Sequence, residues 1–108
     1  MTNQKVLLLV STLFLASCSS MIQSTSVTAA HKKYEHQKFE RTLELITRAE
    51  NVRATAPEMK AELTYLKART HEGLGEQEIA KTLYEYLAKQ HRDSQYSYLA
   101  SKKLNSGL

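Results

Sequence analysis

Residues 61–94 run AELTYLKARTHEGLGEQEIAKTLYEYLAKQHRDS, and this stretch decides the predicted fold. Apolar residues recur at intervals of three and four on both sides of the Gly-Leu-Gly at residues 73–75, which is the spacing of two amphipathic helices joined by a tight turn. Upstream, Thr55 and Glu58 have the spacing of a capping box and Pro57 suits a first helical turn, so we expect the first of these helices to begin there. The stretch therefore predicts a helical hairpin.

Helical periodicity continues on both sides of this hairpin, and the alternation typical of strands is absent from residues 31–108. It predicts an earlier helix that ends near Arg53 and a last helix that is capped by Asp93 or Ser94. The sequence therefore predicts an all-α domain of four helices. The residues expected to point inward are Phe39, Leu43, Ile46, Ala49 and Val52, then Met59, Leu63, Leu66 and Thr70, then Ile79, Ala80, Leu83, Tyr84 and Leu87, and finally Tyr96, Leu99, Ala100 and Leu104.

The helical part of the chain repeats itself in part. A constant offset in residue number, which we call the repeat offset, aligns Phe39, Thr42, Ile46 and Ala49 with Gln77, Ala80, Tyr84 and Leu87. Within residues 61–94, Ala68, Gly75, Ala80 and Tyr84 follow at intervals of seven, five and four, which resembles the tetratricopeptide repeat. That resemblance implies that small residues at 68 and 80 let two helices approach, that Gly75 makes the turn and that Tyr84 fills the seam. The departures from the repeat pattern are His71, Gln77, Leu87 and Arg92.

Residues 90–96, followed by Ala100 and Leu104, resemble the junction between a repeat and the next helix in small tetratricopeptide lipoproteins of the outer-membrane assembly type. The tetratricopeptide resemblance as a whole covers about residues 34–104. It implies antiparallel helical hairpins, about one and a half to two repeats plus a C-terminal helix. The alternative is a closed four-helix antiparallel bundle. A bundle closes its core, whereas stacked hairpins leave an apolar face that a partner, a dimer or the terminal helix must cover.

The N-terminal residues are typical of an export signal. Lys5 precedes an apolar run over residues 6–16, which is shorter than the roughly 20 residues that a membrane-spanning helix needs. The Leu-Ala-Ser-Cys at residues 15–18 resembles the lipobox of a bacterial lipoprotein precursor. The alternative is an ordinary secretory signal with a chance cysteine.

The lipoprotein resemblance implies that Cys18 receives a diacylglyceryl group and an N-acyl chain such as palmitate, and becomes the first residue of the mature chain. Ser19 stands where an Asp favours retention in the inner membrane, so the resemblance implies the periplasmic face of the outer membrane. We therefore divide the chain into a signal peptide (1–17), an acylated flexible tether rich in Ser and Thr (18–30) and a helical tetratricopeptide-like domain (31–108).

Residues with catalytic or metal-binding chemistry do not converge in the sequence. A single cysteine excludes a disulfide scaffold, and 108 residues exclude a multidomain enzyme. His31 and His36 are five residues apart and do not share a helix face as a metal pair would, and His71 occupies a packing position of the repeat. We therefore expect no enzyme, no metal and no cofactor other than the lipid on Cys18. An enzyme or ligand carrier would require a closed pocket lined by titratable groups.

Composition and charge favour a binding protein of the cell envelope. The formal net charge is +4, but export removes most access to nucleic acid, so the basic surface is expected to face lipid or protein. Six tyrosines and no tryptophan make Tyr65, Tyr86 and Tyr98 candidate partner-binding residues, and simple half-buried packing is the alternative. The predicted function is a membrane-anchored protein-protein interaction module or scaffold. The alternative is a self-associating structural lipoprotein of the surface-exclusion or stress type.

Overall fold

The computed structural model describes residues 21–53 and 55–108, and within these ranges the chain is helical without a strand. The all-α fold class is therefore confirmed. The predicted signal peptide, Cys18 and Ser19 lie outside the described residues. Five helices lie within them: α1 over residues 21–35, α2 (Phe39–Glu50), α3 (Pro57–Gly73), α4 (Gln77–Gln90) and α5 (Gln95–Asn105).

The turn between α3 and α4 is a Schellman motif. The Gly75 N–H donates to the Glu72 carbonyl oxygen at 2.9 Å, and the Glu76 N–H donates to the His71 carbonyl oxygen at 2.8 Å. Both bonds require the residue between the helices to have a positive φ, and Gly75 has a φ of 77°. Glycine is the residue that adopts this conformation with the least steric strain, so the predicted turn is confirmed.

The turn between α1 and α2 uses the same two bonds with a different residue at its centre. The Gln37 N–H donates to the Tyr34 carbonyl oxygen at 2.9 Å, and the Lys38 N–H donates to the Lys33 carbonyl oxygen at 2.9 Å. Gln37 has a φ of 58°, and the repeat offset aligns it with Gly75. The described chain is therefore two helical hairpins of the same plan, followed by α5.

The helices pack in two layers with α3 at the centre. α3 contacts α2, α4 and α5, and it also meets α1 through a bond between His31 Nε2 and Glu62 Oε1 at 2.9 Å. The odd-numbered helices therefore lie side by side in the order α1, α3, α5. α2 packs against α1 and α3, and α4 packs against α3 and α5.

Two apolar clusters form the core, and α3 contributes to both. Its Leu63 and Leu66 face α1 and α2, while its Ala61 and Ala68 face α4 and α5, so α3 is buried on two sides. Each fully buried aliphatic side chain of the size of leucine contributes about 1.5 to 3 kcal/mol. The first cluster comprises Val27, Ala30, Leu45, Ile46, Ala49, Leu63 and Leu66, and the second comprises Ala61, Ala68, Ala80, Tyr84, Leu87 and Ala100.

The predicted flexible tether over residues 18–30 is wrong wherever the structure describes it. Residues 21–30 belong to α1, where Val27 and Ala30 are members of the first cluster and Ser26 is also buried. The Thr28 hydroxyl is satisfied within the helix, because its Oγ1 donates to the Ser24 carbonyl oxygen at 3.0 Å. The folded domain therefore includes residues before the predicted boundary at 31.

Two helix boundaries also differ from the prediction. α2 ends at Glu50 rather than near Arg53, and the N-cap of α3 is Ala56, which makes no side-chain cap. The predicted capping box is therefore wrong, because Thr55 Oγ1 donates backward to the Val52 carbonyl oxygen at 2.8 Å. The first residue of α3 is a proline, as predicted.

The inward face of α4 is narrower than predicted, whereas the cap of α5 is confirmed. Ala80, Tyr84 and Leu87 are fully buried, but Ile79 is 44% exposed because it lies beside that stripe rather than on it. The Ser94 hydroxyl caps α5 by accepting a hydrogen bond from the Tyr96 N–H at 3.1 Å.

Candidate interaction surface

The predicted repeat residues meet at the junction of α3, α4 and α5. Ala68, Ala80 and Tyr84 are fully buried in the second cluster, and Gly75 forms the turn beside them. The short side chains at 68 and 80 leave room for a close approach of α3 and α4, and the Tyr84 ring occupies the remaining space.

Tyr84 also ties the three helices together through its hydroxyl. The hydroxyl donates to Glu72 Oε2 on α3, and Lys103 Nζ on α5 donates to Glu72 Oε1 at 3.3 Å. Burial of the phenol raises the pKa of Tyr84 far above its ordinary value, and the neighbouring Glu72 carboxylate raises it further. Tyr84 therefore remains neutral, and its ring packs in the second cluster.

Tyr65 lies at the centre of a row of half-buried side chains that crosses the odd-numbered helices. Its ring centroid is 5.6 Å from that of Tyr96 on α5 and 5.8 Å from that of Tyr84. The Arg69 guanidinium is 5.9 Å from the Tyr65 centroid and 4.7 Å from the Tyr34 centroid on α1. We call Tyr34, Arg69, Tyr65 and Tyr96 the tyrosine strip.

The charge of the tyrosine strip comes from Arg69. Among the described residues Arg69 forms no ion pair with a carboxylate, so its guanidinium is held by the aromatic rings. Burial raises the pKa of Tyr96, and the carboxylates of Glu62 and Glu58 raise it further, so this phenol stays neutral. The strip itself is therefore aromatic with one cation, and the carboxylates of Glu62 and Glu58 act on its Tyr96 end.

A shallow depression extends the strip along α5. It has a volume of about 340 Å³ and is lined by Tyr65, Leu99, Lys102, Lys103 and Ser106. Leu99 supplies an apolar wall, and the two lysines supply charge at the rim. A side chain of a bound segment could enter this depression next to the Tyr65 ring.

The other two predicted tyrosines lie outside the tyrosine strip. Tyr86 on α4 is 50% exposed, and its ring meets that of His91 edge-on at 5.6 Å. Tyr98 on α5 is 65% exposed and lies 5.7 Å from Lys102 Nζ. Tyr86 therefore lies apart from Tyr65 on α4, whereas Tyr98 lies beside Lys102, which lines the depression next to Tyr65.

Sequence reasoning missed Tyr34, Arg69 and Tyr96 as members of the strip, since it predicted Tyr96 only as an inward packing residue. One signal could have found the row, because Tyr34, Tyr65 and Tyr96 are equally spaced along the chain. The interval between successive tyrosines of the row is shorter than the repeat offset by about two helical turns. Each tyrosine therefore lies nearer the start of its helix than the preceding tyrosine does.

The histidines do not form a metal centre in the described residues, where no group of three His, Cys, Asp or Glu side chains is placed to hold an ion. His71 is mostly buried, and its Nδ1 lies 3.1 Å from Glu76 Oε1, while His31 bonds to Glu62. Both contacts connect neighbouring elements of the fold.

Comparisons with known proteins give no relative for this chain. No family model matches it, and no match is found among curated proteins or solved structures. Within the described residues, none of the helices combines the length and the apolar character that crossing a membrane requires.

Proposed function

We propose that this protein is an acylated lipoprotein of the cell envelope whose helical hairpins bind a segment of another envelope protein through the tyrosine strip. The observation that supports this most is the row of half-buried rings around Arg69 across α1, α3 and α5. Tyrosine and arginine are enriched at the centres of protein interfaces, where they contribute much of the binding energy.

The packing of the strip suits binding because its side chains are already ordered. Each ring contacts a neighbour on another helix, so little side-chain entropy remains to be lost when a partner arrives. An extended or helical segment lying across the odd-numbered helices would contact the rings and the Arg69 guanidinium together. The spacing of Ala68, Gly75, Ala80 and Tyr84 supports a relation to tetratricopeptide modules, whose stacked hairpins leave one face open.

The proposed anchor is the lipid on Cys18. Each buried methylene of an acyl chain contributes about 0.8 kcal/mol of membrane affinity, so two or three chains hold the protein on a bilayer. Anchoring confines the strip to a thin layer at the membrane, which raises its effective concentration toward partners in the same membrane. With Ser19 after the cysteine, the proposed location is the periplasmic face of the outer membrane.

A photo-crosslinking experiment in cells tests the binding surface. Benzoylphenylalanine in place of Tyr34 is expected to give a discrete adduct, because this position lies within the strip. Arg69→Ala in the same chain is expected to lower the adduct yield about tenfold, the effect of losing one strong interface contact. The adduct is detected by its mass on a gel and identified by mass spectrometry.

The matched control carries the same amino acid in place of Thr82, which is exposed on α4 and away from the strip. It is expected to give no such adduct. Equal adducts from both positions, or an adduct that Arg69→Ala leaves unchanged while the thermal melt shows a folded chain, would refute the strip as the binding surface.

The anchor is tested by growing cells with labelled palmitate. The wild-type chain is expected to incorporate the label and to float with outer-membrane vesicles, whereas Cys18→Ser is expected to do neither. Label that survives this substitution, or an unprocessed chain in the cytosol, would contradict the lipoprotein proposal.

A second candidate function is self-association, favoured by exposed apolar side chains. Ile79 is 44% exposed and Tyr98 is 65% exposed. Such side chains could close a homodimer. In this case light scattering finds a mass that rises with protein concentration. A constant monomer mass would reject this candidate.

A further inference from the structure

A polar cleft lies at the end of the molecule where the described part of α1 begins. It is a cleft of about 520 Å³ between the α2–α3 connection, the first turns of α3 and the end of α4. Buried Leu63 lies at its base, and Tyr86 forms a wall with its ring held edge-on by His91. Arg53 and Lys60 also line the cleft.

The charge of the cleft favours an anion. In the part of the chain that the structure describes, neither Arg53 nor Lys60 forms an ion pair with a carboxylate. The one acidic residue of the lining, Glu50, is bonded by Lys67 Nζ at 3.3 Å. Two cations are therefore available to a ligand, and the side-chain amide of Asn51, which also lines the cleft, adds N–H donors.

The cleft adjoins the first described turns of α1. Gln23 Nε2 donates to the Ala49 carbonyl oxygen at 3.2 Å and to Thr55 Oγ1 at 2.9 Å, and Thr55 lines the cleft. Gln23 follows Cys18 by five residues, which span at most about 17 Å even when fully extended. A lipid on Cys18 would therefore bring the membrane surface close to the cleft.

Two exposed apolar residues support contact of this end with lipid. Met21 is 66% exposed and Ile22 is 52% exposed, and both precede Gln23 directly. Apolar side chains next to basic ones are typical of segments that lie at a membrane interface, where the acyl boundary takes the former and anionic headgroups attract the latter.

We propose that the cleft binds the phosphate group of an anionic phospholipid headgroup in the membrane that holds the anchor. This inference rests on the proposed acylation of Cys18. The phosphate oxygens accept from Arg53, Lys60 and Asn51, and the Tyr86 ring covers the glycerol part of the headgroup. A second point of attachment restricts rotation of the hairpins about the acyl anchor and so fixes the direction in which the tyrosine strip faces.

Fluorescence of the acylated chain in vesicles tests the site. The sequence has no tryptophan, so Tyr86→Trp introduces a single indole at the cleft wall. In phosphatidylcholine vesicles containing phosphatidylglycerol, whose phosphate has no choline cation to compensate its charge, the indole is expected to be protected from an aqueous quencher, relative to phosphatidylcholine alone. Adding Arg53→Ala or Lys60→Ala is expected to raise the phosphatidylglycerol fraction needed for half protection about fivefold each.

Two controls separate a specific cleft from general surface charge. Lys81→Ala with Lys89→Ala removes two exposed charges of α4 that do not line the cleft, and it is expected to leave protection unchanged. Tyr98→Trp places the indole on α5, where vesicle composition is expected to have no effect. If the α4 double variant loses protection as strongly as the cleft variants, or if phosphatidylglycerol gives no protection, the proposal is wrong.

Two further measurements identify the source of the phosphate and test the acyl anchor separately from the cleft. Full protection by millimolar inorganic phosphate with phosphatidylcholine alone would assign the cleft to a free anion and overturn the lipid assignment. Flotation of the protein with every vesicle, whatever its headgroups, depends on the acyl chains. Failure of flotation contradicts the proposed acylation, whereas normal flotation without protection contradicts the cleft proposal.

Discussion

The hairpin of α1 and α2 and the hairpin of α3 and α4 use one turn geometry with different residues at its centre. Gln37 and Gly75 both have a positive φ, and the same pair of backbone bonds closes each turn. The residues that precede α2 and α4 also agree, since Lys38 has φ −90° and ψ 71° while Glu76 has φ −92° and ψ 67°. The two hairpins are therefore more alike in backbone conformation than in sequence.

The cores of the two hairpins differ more than their turns. At buried positions related by the repeat offset, Ile46 corresponds to Tyr84 and Ala49 to Leu87. The hydrophobic side chains that are fully or nearly fully buried in the first cluster are all aliphatic, and Tyr34 packs against them only partly buried. The second cluster contains a fully buried ring, Tyr84, whose hydroxyl is bonded to Glu72. Tyr84 and Leu87 are larger than the residues at the equivalent positions of the first hairpin. They fill the space between α3 and α4 and pack against α5.

Truncating the two equivalent core residues should give the largest losses of stability in the two hairpins. Tyr84→Ala is expected to lower the free energy of unfolding by about 4 kcal/mol and Ile46→Ala by about 3 kcal/mol, because each leaves a cavity and the larger ring leaves more. Urea unfolding followed by circular dichroism measures both. Tyr86→Ala, on the same helix but half exposed, is the control and should change stability by less than about 1 kcal/mol. Equal losses at 84 and 86 would contradict the buried seam.

Removing only the hydroxyl of Tyr84 sharpens the difference between the hairpins. Tyr84→Phe is expected to cost about 2 kcal/mol at neutral pH, since the bond to a carboxylate is lost. The pKa of Tyr84 is raised in the folded protein, so its contribution is complete below pH 10 and is lost as the pH rises above this value, where the unfolded tyrosine ionises.

The pH dependence identifies this one proton. Above pH 10 the free energy of unfolding should fall about 1.4 kcal/mol per pH unit more steeply in the wild type than in Tyr84→Phe. Ile46→Val, at the equivalent position of the first hairpin, has no titrating group and should keep the wild-type slope. Identical slopes in wild type and Tyr84→Phe would show that the phenol titrates normally.

The same contrast explains how much of the fold was predictable. The hairpin of α3 and α4 has Gly75 at the turn and apolar residues at helical intervals, so local chemistry specifies it. The turn at Gln37 has no such residue, and its conformation is imposed by the helices on either side. The residues of α1 before position 31 are rich in Ser and Thr, and they become helical because Val27 and Ala30 find a core to pack against.

The tyrosine strip was predictable only in part for a related reason. Exposure of Tyr86 and Tyr98 follows from the position of each on its own helix, which is information that periodicity contains. The contacts of Arg69 with Tyr34 and Tyr65 join different helices, and they depend on how α1 and α3 are packed. Periodicity within one helix contains no information about that packing.

At the contact between the two hairpins we expect a smaller change in stability, and its sign is the opposite of the usual one. A Cβ on Gly73, the last residue of α3, would lie 2.5 Å from Cζ of Phe39 at the start of α2. Replacing glycine by alanine in a helix usually stabilises by about 1 kcal/mol, but here the displaced ring should make Gly73→Ala destabilising by about 1 kcal/mol.

A double-mutant cycle checks the cause of this effect. In a Phe39→Ala chain the obstructing ring is gone, so adding Gly73→Ala should become neutral or stabilising. The equivalent position of the first hairpin is Glu35, which is exposed, and Glu35→Ala should change the free energy of unfolding by less than about 0.5 kcal/mol. A stabilising effect of Gly73→Ala in the presence of Phe39 would contradict the close approach.

Exchanging the two turn residues should give the smallest effects, with opposite signs. Gln37→Gly removes the strain of a side chain at a φ of 58°. Glycine loses more backbone entropy on folding, which offsets part of this gain, so we expect the free energy of unfolding to rise by about 0.5 kcal/mol. Gly75→Gln introduces that strain at a φ of 77° and should cost about 1 kcal/mol. No atom lies within 4 Å of a Cβ at 75, so the cost is conformational rather than steric. Because both turns make the same backbone bonds, thermal melts of the two variants compare glycine with glutamine in the same turn geometry. Shifts of the same sign would mean that the two hairpins do not share a turn.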